Sequence, residues 1–230
     1  MRNPEDASMP SNGFIRALSA SQIRPSLSPQ MKFYFDITCP YSFTGYQILK
    51  SKNVTDIHFK PIVRRKFLTK RGRKNTIPIP QDELHLLQKF RERHHLNPVA
   101  LKPTDYNVPD FSHRSSLFLT LISRRHPALL PSAVDLAFRR YWIENQDTNH
   151  AFSLMKMCRL VGLDLAESDN LVAQVESREN VLAANACVEE AVDLEKDSTP
   201  IVEIDGEEQP EIVKKLDHFD LAELVKKLIP

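Results

Sequence analysis

Strand chemistry is confined to the two ends of this sequence, and that separation constrains the architecture. In "MKFYFDI" (31–37) the apolar Phe33, Phe35 and Ile37 alternate with Tyr34 and Asp36, the period of a strand. "DIHFKPIV" (56–63) reads as a second strand. The next such stretch is "TPIVEID" (199–205), which a turn at Asp205-Gly206 joins to "EIV" (211–213) as a hairpin. Between these ends the spacing is helical. Leu84, Leu87 and Phe90 share a face, as do Val134, Ala137, Phe138 and Tyr141, and then Leu154, Met157, Cys158 and Val161. A further helix is expected over about 170–192, and "FDLAELVKKL" reads as a closing helix. The order is βαβ, helices, ββα. Strands from both ends complete one sheet only if the helical middle is inserted into a single α/β domain.

"YSFTGYQILKS" links the first two strands, with Pro40 in its first turn, where no amide donor is needed. A helical crossover this short predicts parallel pairing. "RRKFLTKRGRKNTIPIPQ" (64–81) is basic and rich in proline at its end, and is expected to be a loop. The expected organisation is an α/β domain from residues 31–80 and 195–230, an inserted helical domain over 81–194, and a tail or targeting segment over 1–30. That first segment is rich in Ser, Pro and Asn and buries too little to offset its ordering entropy. Read from Met9 to Ser28, it holds two arginines, five serines and no acid, as mitochondrial transit peptides do, whereas Glu5 and Asp6 oppose that reading from Met1.

Composition removes several function classes. With 230 residues, 41% of them hydrophobic, the chain can build one sizeable core. Lys plus Arg number 31 against 30 Asp plus Glu, so the net charge of +1 steers nothing toward nucleic acid. Seven of those cations fall between Arg64 and Lys74, a solvated run or an attractor of carboxylates. It lacks the interleaved aromatics on which bases stack. Three cysteines make no disulfide framework, and a reducing compartment is the default. No apolar run reaches the ~18 residues of a membrane span. Five glycines form no phosphate loop, and no Gly-x-Ser-x-Gly elbow is present. His94-His95 has no cysteine or carboxylate at metal spacing. No metal and no permanently bound cofactor is expected.

The chemistry-bearing stretch is "FYFDITCPYSFTGYQIL" (33–49). Cys39 sits where strand passes into helix, and the amides and dipole of a helix start stabilise an anion there. A thiol so placed is expected to be thiolate-rich and nucleophilic. Ser42 can donate a hydrogen bond toward a thiolate, but cannot resolve a mixed disulfide as a second cysteine would. The plainer alternative is a buried cysteine at a helix start. "STPIV" (198–202) puts Pro200 at the entry to a strand, which is unusual without a special geometry. Cys158 and Cys187 lie among apolar helix neighbours and are expected in the core. Tyr141 and Trp142 are expected in the core or at a dimer contact.

These features resemble the thioredoxin-like fold and, more specifically, the kappa-class glutathione transferases, with DsbA-like proteins and 2-hydroxychromene-2-carboxylate isomerases as relatives. The likeness covers about residues 31–228 and is carried by "FYFDITCPYSF", "FLTLISRRHPALLPSAVDLAFRRYW" (118–142), "ENQDTNHAFSLMKMCRLVGL" (144–163) and Thr199-Pro200. The resemblance implies that residue 39 holds the glutathione sulfur; the family has serine there and this chain has Cys39. It implies that Pro40 and Tyr41 help form the site, and that Asn75 matches the family's asparagine after the second strand. By the same likeness, Thr199 precedes a cis Pro200 and pairs with the cysteinyl backbone of glutathione. Leu216-Asp217 stands where the family has a Ser-Asp pair for the γ-glutamyl end, and Asp217 can still pair with the ligand's amino group. A homodimer and a mitochondrial, cytoplasmic or peroxisomal location are further implications.

The leading expectation is therefore a glutathione transferase of kappa type. Cys39 and Ser42 would be catalytic, and glutathione's activated thiol would attack a small electrophile or hydroperoxide. The alternative is a monothiol glutathione-dependent disulfide oxidoreductase, in which Cys39 bonds to glutathione and a second glutathione resolves the intermediate. A third reading is a non-catalytic glutathione- or partner-binding protein.

Overall fold

The computed structural model describes residues 31–73, 81–93, 95–96, 112–196, 199–204 and 211–213. A four-stranded sheet has the order β2-β1-β3-β4. Strand β1 (Met31–Phe35) pairs in parallel with β2 (Ile57–Pro61), with Met31 opposite Ile57 and Phe35 opposite Pro61. On its other edge β1 pairs antiparallel with β3 (Ile201–Ile204), which in turn pairs antiparallel with β4 (Glu211–Val213). The parallel crossover is α1 (Pro40–Ser51). Between β2 and β3 run α2 (Arg64–Lys70), α3 (Gln81–Arg93), α4 (His113–Arg125), α5 (Leu130–Trp142), α6 (Ala151–Leu160), α7 (Leu165–Gln174) and α8 (Arg178–Asp193). This is a thioredoxin-like fold with a helical insertion. The last expected helix, 219–228, lies outside the described residues.

With β1 in the middle of the sheet, its alternating side chains serve two cores. Phe33 and Phe35 enter the larger one, together with Phe59, Phe43, Tyr46, Phe118, Phe138 and Trp142. Phe35 meets Phe138 at 5.5 Å between ring centroids, and Phe43 stacks on Trp142 at 5.9 Å. The expected stripes of α5 and α6 supply this core: Val134, Ala137, Phe138, Leu154, Met157 and Cys158 are all fully buried, and Tyr141 and Val161 pack against it, while the side chains of Leu84 and Phe90 in the α3 stripe lie outside the description. Burial pushes the Cys158 thiol up to about 11. Trp142 also donates its indole N–H to the Ile37 carbonyl at 2.8 Å, tying the insertion to the turn after β1.

Tyr34 faces the other way, into a smaller cluster with Phe67, Leu68, Val188, Ala191 and Ile201. Its hydroxyl lies 2.8 Å from Glu190 and 3.1 Å from Glu203. Lys60 pairs with Glu190 at 3.0 Å and Lys32 with Glu203 at 3.1 Å. Burial, then the two carboxylates, push the phenol well above its ordinary range. Burial alone would raise Glu190, but the Lys60 and Tyr34 hydrogen bonds and the charges of Lys60 and Lys32 outweigh it and hold Glu190 below the usual carboxylate range.

Three local expectations are corrected. The basic segment starting at Arg64 opens as a helix, α2, not a loop. Phe67 and Leu68 give it a buried edge against α8, while its cations stay at the surface or pair outward, as Lys70 does with Glu189 at 2.5 Å. Gly72, at φ +65°, ends that helix in a conformation that costs glycine little. The expected helix over 170–192 is two helices. Ser177 accepts the Asn180 amide as the cap of α8, and Asn180 donates its side-chain amide to the Val175 and Leu117 carbonyls, which fixes the break. Cys187 is only partly buried, packed against the smaller cluster rather than within it. Among the described residues, no helix is long and apolar enough to cross a membrane.

Two outcomes follow. Trp142→Phe removes the indole donor and leaves the Ile37 carbonyl unpaired, so urea unfolding should show a loss of about 1–3 kcal/mol. Glu190 is more acidic folded than unfolded, so its contribution is present above the unfolded carboxyl range and is lost as pH falls through the folded one. Glu190→Gln should therefore lower the melting temperature at pH 7 and flatten its fall across the acid limb.

Candidate functional site

The turn that follows β1 leads straight into α1. The Cys39 amide donates to the Asp36 carbonyl at 3.1 Å, and Cys39 then caps α1 with extended backbone (φ −86°, ψ 116°) while its carbonyl accepts the Phe43 amide at 3.1 Å. Pro40 occupies the first helical turn, as its fixed φ and missing N–H allow. The thiol thus stands at the amide end of a 12-residue helix whose first turn has no acidic residue. That end carries partial positive charge.

The opposite wall comes from the far end of the chain. Cys39 Sγ donates to the Thr199 carbonyl at 3.5 Å, and the Thr199–Pro200 bond is cis. Cys39 is 2% exposed and Thr199 3%. The Thr199 hydroxyl is buried with no hydrogen-bond partner among the described residues. Pro40 is buried and Tyr41 partly exposed. Ser42 is fully buried, and its hydroxyl accepts the Asp36 amide at 3.3 Å. That contact ties Ser42 to the turn below the helix.

The structure therefore brings Cys39, Pro40, Tyr41, Ser42, Thr199 and Pro200 together at one end of the sheet. Asn75, Leu216 and Asp217 lie outside the described residues. Among the described residues no group of three or more His, Cys, Asp or Glu side chains is arranged to hold a metal ion. A cleft of about 350 Å³ lies along the second half of α1, lined by Tyr46, Lys50, Asp135 and Arg139 among others, and Cys39 is not in its wall.

Arg91 is a component of this region that sequence reasoning missed. It is 3% exposed, its guanidinium lies 4.9 Å over the Phe43 ring, and it donates to Thr44 Oγ1 at 2.8 Å and to Gln47 Oε1. Burial lowers it to about 10. It braces the side of α1 from α3. In "LQKFRERHHL" it stands among other cations, and nothing in the string marks it as the buried one.

Residues 30–225 match the family model of the DSBA-like thioredoxin domain. The chain belongs to the DsbA-like thioredoxin family. The kappa-class transferases that the sequence resembles are members of the same family. Among solved structures, a putative protein disulfide isomerase from Nitrosomonas europaea is similar at a TM-score of 0.66 and 11% identity, over 87% of this chain and 95% of that one. A 2-hydroxychromene-2-carboxylate isomerase is similar at a TM-score of 0.66 and 16% identity, over 86% and 94%. The cytosolic disulfide reductase DsbM from Pseudomonas aeruginosa is similar at a TM-score of 0.61 and 11% identity, over 86% and 97%. At these identities the likeness is one of fold. No curated protein matches the chain significantly.

The unpartnered Thr199 hydroxyl gives a direct measurement. Thr199→Val keeps the shape and removes a buried hydroxyl that no described residue pairs with. The variant should be more stable than wild type by about 1 kcal/mol in chemical denaturation. A loss of stability instead would show that the hydroxyl is satisfied in solution.

Proposed function

We propose that this protein is a glutathione-dependent thiol–disulfide oxidoreductase that works through the single thiol of Cys39. The observation that carries the reading is the position of its sulfur: at the amide end of α1 and 3.5 Å from the carbonyl that precedes the cis proline. The motif holds one sulfur, and the serine three residues on is engaged with the Asp36 amide. A cycle at this site therefore needs a second sulfur from outside the protein. Glutathione fits that requirement. A disulfide reductase of the same fold, DsbM, has also been solved with GSH, at a TM-score of 0.58 and 12% identity.

The Cys39 thiolate attacks the glutathione sulfur of a glutathionylated thiol. The Cys39–glutathione S–S bond forms, the old S–S bond breaks, and the departing thiolate takes up a proton. A second glutathione thiolate then attacks the glutathione sulfur of the mixed disulfide, releasing glutathione disulfide and regenerating Cys39. The helix-end amides stabilise the thiolate both as attacking and as leaving group. The backbone around Thr199 offers an extended ligand a strand edge to pair with. Thr199 and Pro200 would line the glutathione site with Pro40 and Tyr41, and Asn75, Leu216 and Asp217 are proposed to complete it on the strength of the resemblance.

The transferase reading is kept as the second, because Pro-Tyr-Ser follows Cys39 as it follows the serine of the kappa class. One comparison separates the two. Turnover of a glutathione mixed disulfide and conjugation of glutathione to an aromatic halide are measured for wild type, Cys39→Ser and Cys39→Ala. The oxidoreductase reading expects wild type to reduce the mixed disulfide and both variants to lose that activity by about a thousandfold or more. Conjugation that survives or improves in Cys39→Ser, with no disulfide turnover in wild type, would instead establish the transferase. Absence of both activities, with no rise in melting temperature on adding glutathione, would reject both.

A further inference from the structure

Asp36 is the most heavily engaged side chain near the thiol, and neither chemistry above uses it. It is 0% exposed. One carboxylate oxygen accepts the Thr38 amide at 2.7 Å and the Thr38 hydroxyl at 2.6 Å. The other accepts the Arg64 amide at 2.7 Å and the Ser112 hydroxyl at 2.7 Å. Its backbone is equally committed: the carbonyl accepts the Cys39 amide at 3.1 Å and the amide donates to Ser42 at 3.3 Å. Every polar atom of this one residue is therefore spent on the Cys39 turn or on an element that abuts it. Arg64 is the first residue of α2, and Ser112 immediately precedes α4.

The arrangement needs both carboxylate oxygens. Two of the four donors are backbone N–H groups, which cannot reverse their role. A neutral amide of the same shape satisfies only one of them and presents its own N–H₂ to the other. The hydroxyls of Thr38 and Ser112 can rotate to accept, but the Thr38 and Arg64 amides cannot. A buried group bonded this fully holds its neighbours in one arrangement, and breaking it loosens all of them.

We propose that Asp36 is a positioning residue that holds Cys39 against the Thr199 carbonyl by clamping its turn to the starts of α2 and α4. This rests on the reading of Cys39 as the reactive group. Its function is to keep the thiol in one aligned and shielded place, so that it meets a bound disulfide but not small reagents from solvent.

The test uses the full chain and peptide-level mass spectrometry, which scores each cysteine separately. Cys158 in the larger core and Cys187 beside the smaller one serve as internal references. Wild type, Asp36→Asn and Ser112→Ala are labelled with iodoacetamide, and in parallel incubated with glutathione disulfide. Asp36→Asn is expected to raise the labelling of Cys39 relative to Cys187 by about fivefold through local opening. It should also slow formation of the Cys39–glutathione mixed disulfide by about tenfold through lost alignment. Ser112→Ala, which removes one hydroxyl donor and keeps the carboxylate, should shift the labelling ratio the same way by a smaller factor and decides the matter if Asp36→Asn does not fold. An unchanged Cys39:Cys187 labelling ratio overturns the proposal. So does a parallel rise at Cys39, Cys158 and Cys187, which marks general loosening. If wild-type Cys39 forms no mixed disulfide, the oxidoreductase reading fails by itself, and the labelling ratios still decide the role of Asp36.

Discussion

Alternation along β1 sends Phe33 and Phe35 into one core and Tyr34 into another, and the position of nearly every other described element follows from that division. Phe33 and Phe35 on one face and Tyr34 on the other are fully buried, so neither face of β1 meets solvent. Helices α4 and α5 therefore cover one side with their aromatic residues, while α2 and α8 cover the other. The two sides use different physics. The larger core is held by apolar area and ring contacts, which are non-directional and tolerant of small shifts. The smaller adds a hydrogen-bonded set of Tyr34, Lys32, Lys60, Glu190 and Glu203, which specifies how α8 lies across the strands.

This division explains what could be read in the string and what could not. Alternation in "FYF", the proline at the start of α1, and the apolar stripes of α5 and α6 are local patterns, and each produced the element it implied. The parallel β1–β2 pair followed from the short helical crossover, and the antiparallel β3–β4 pair is the one the Asp205-Gly206 signal implied, although residues 205–210 lie outside the described ones. Helix α2 was missed because five of its seven residues are polar or charged. Its anchors, Phe67 and Leu68, acquire meaning only once α8 lies beside them. Arg91 was missed for the same reason: a cation's burial is decided by the surface it meets, here the Phe43 ring and the polar atoms of Thr44 and Gln47. The break between α7 and α8 was closer to legible, since Ser177 is a good capping residue, but the apolar spacing runs on across it.

At the site, the junction and the proline were both visible in the sequence, because each breaks a local rule: a proline entering a strand, and a cysteine at a helix start. Ser42 stands three residues from Cys39, and its hydroxyl accepts the Asp36 amide, a bond that uses its oxygen and leaves its own O–H as a donor. Thr199, named by the resemblance, stands next to the sulfur and offers it a backbone carbonyl at 3.5 Å.

The Cys39–Thr199 contact joins residues 160 positions apart. During synthesis at roughly 5–20 residues per second, Cys39 emerges many seconds before the segment that will shelter it has been made. In that interval β1 lacks its partner β3, and the sulfur has no wall in front of it. A nascent chain therefore presents an open thiol to whatever oxidants surround the ribosome. Completing the fold both builds the site and withdraws its sulfur from indiscriminate chemistry.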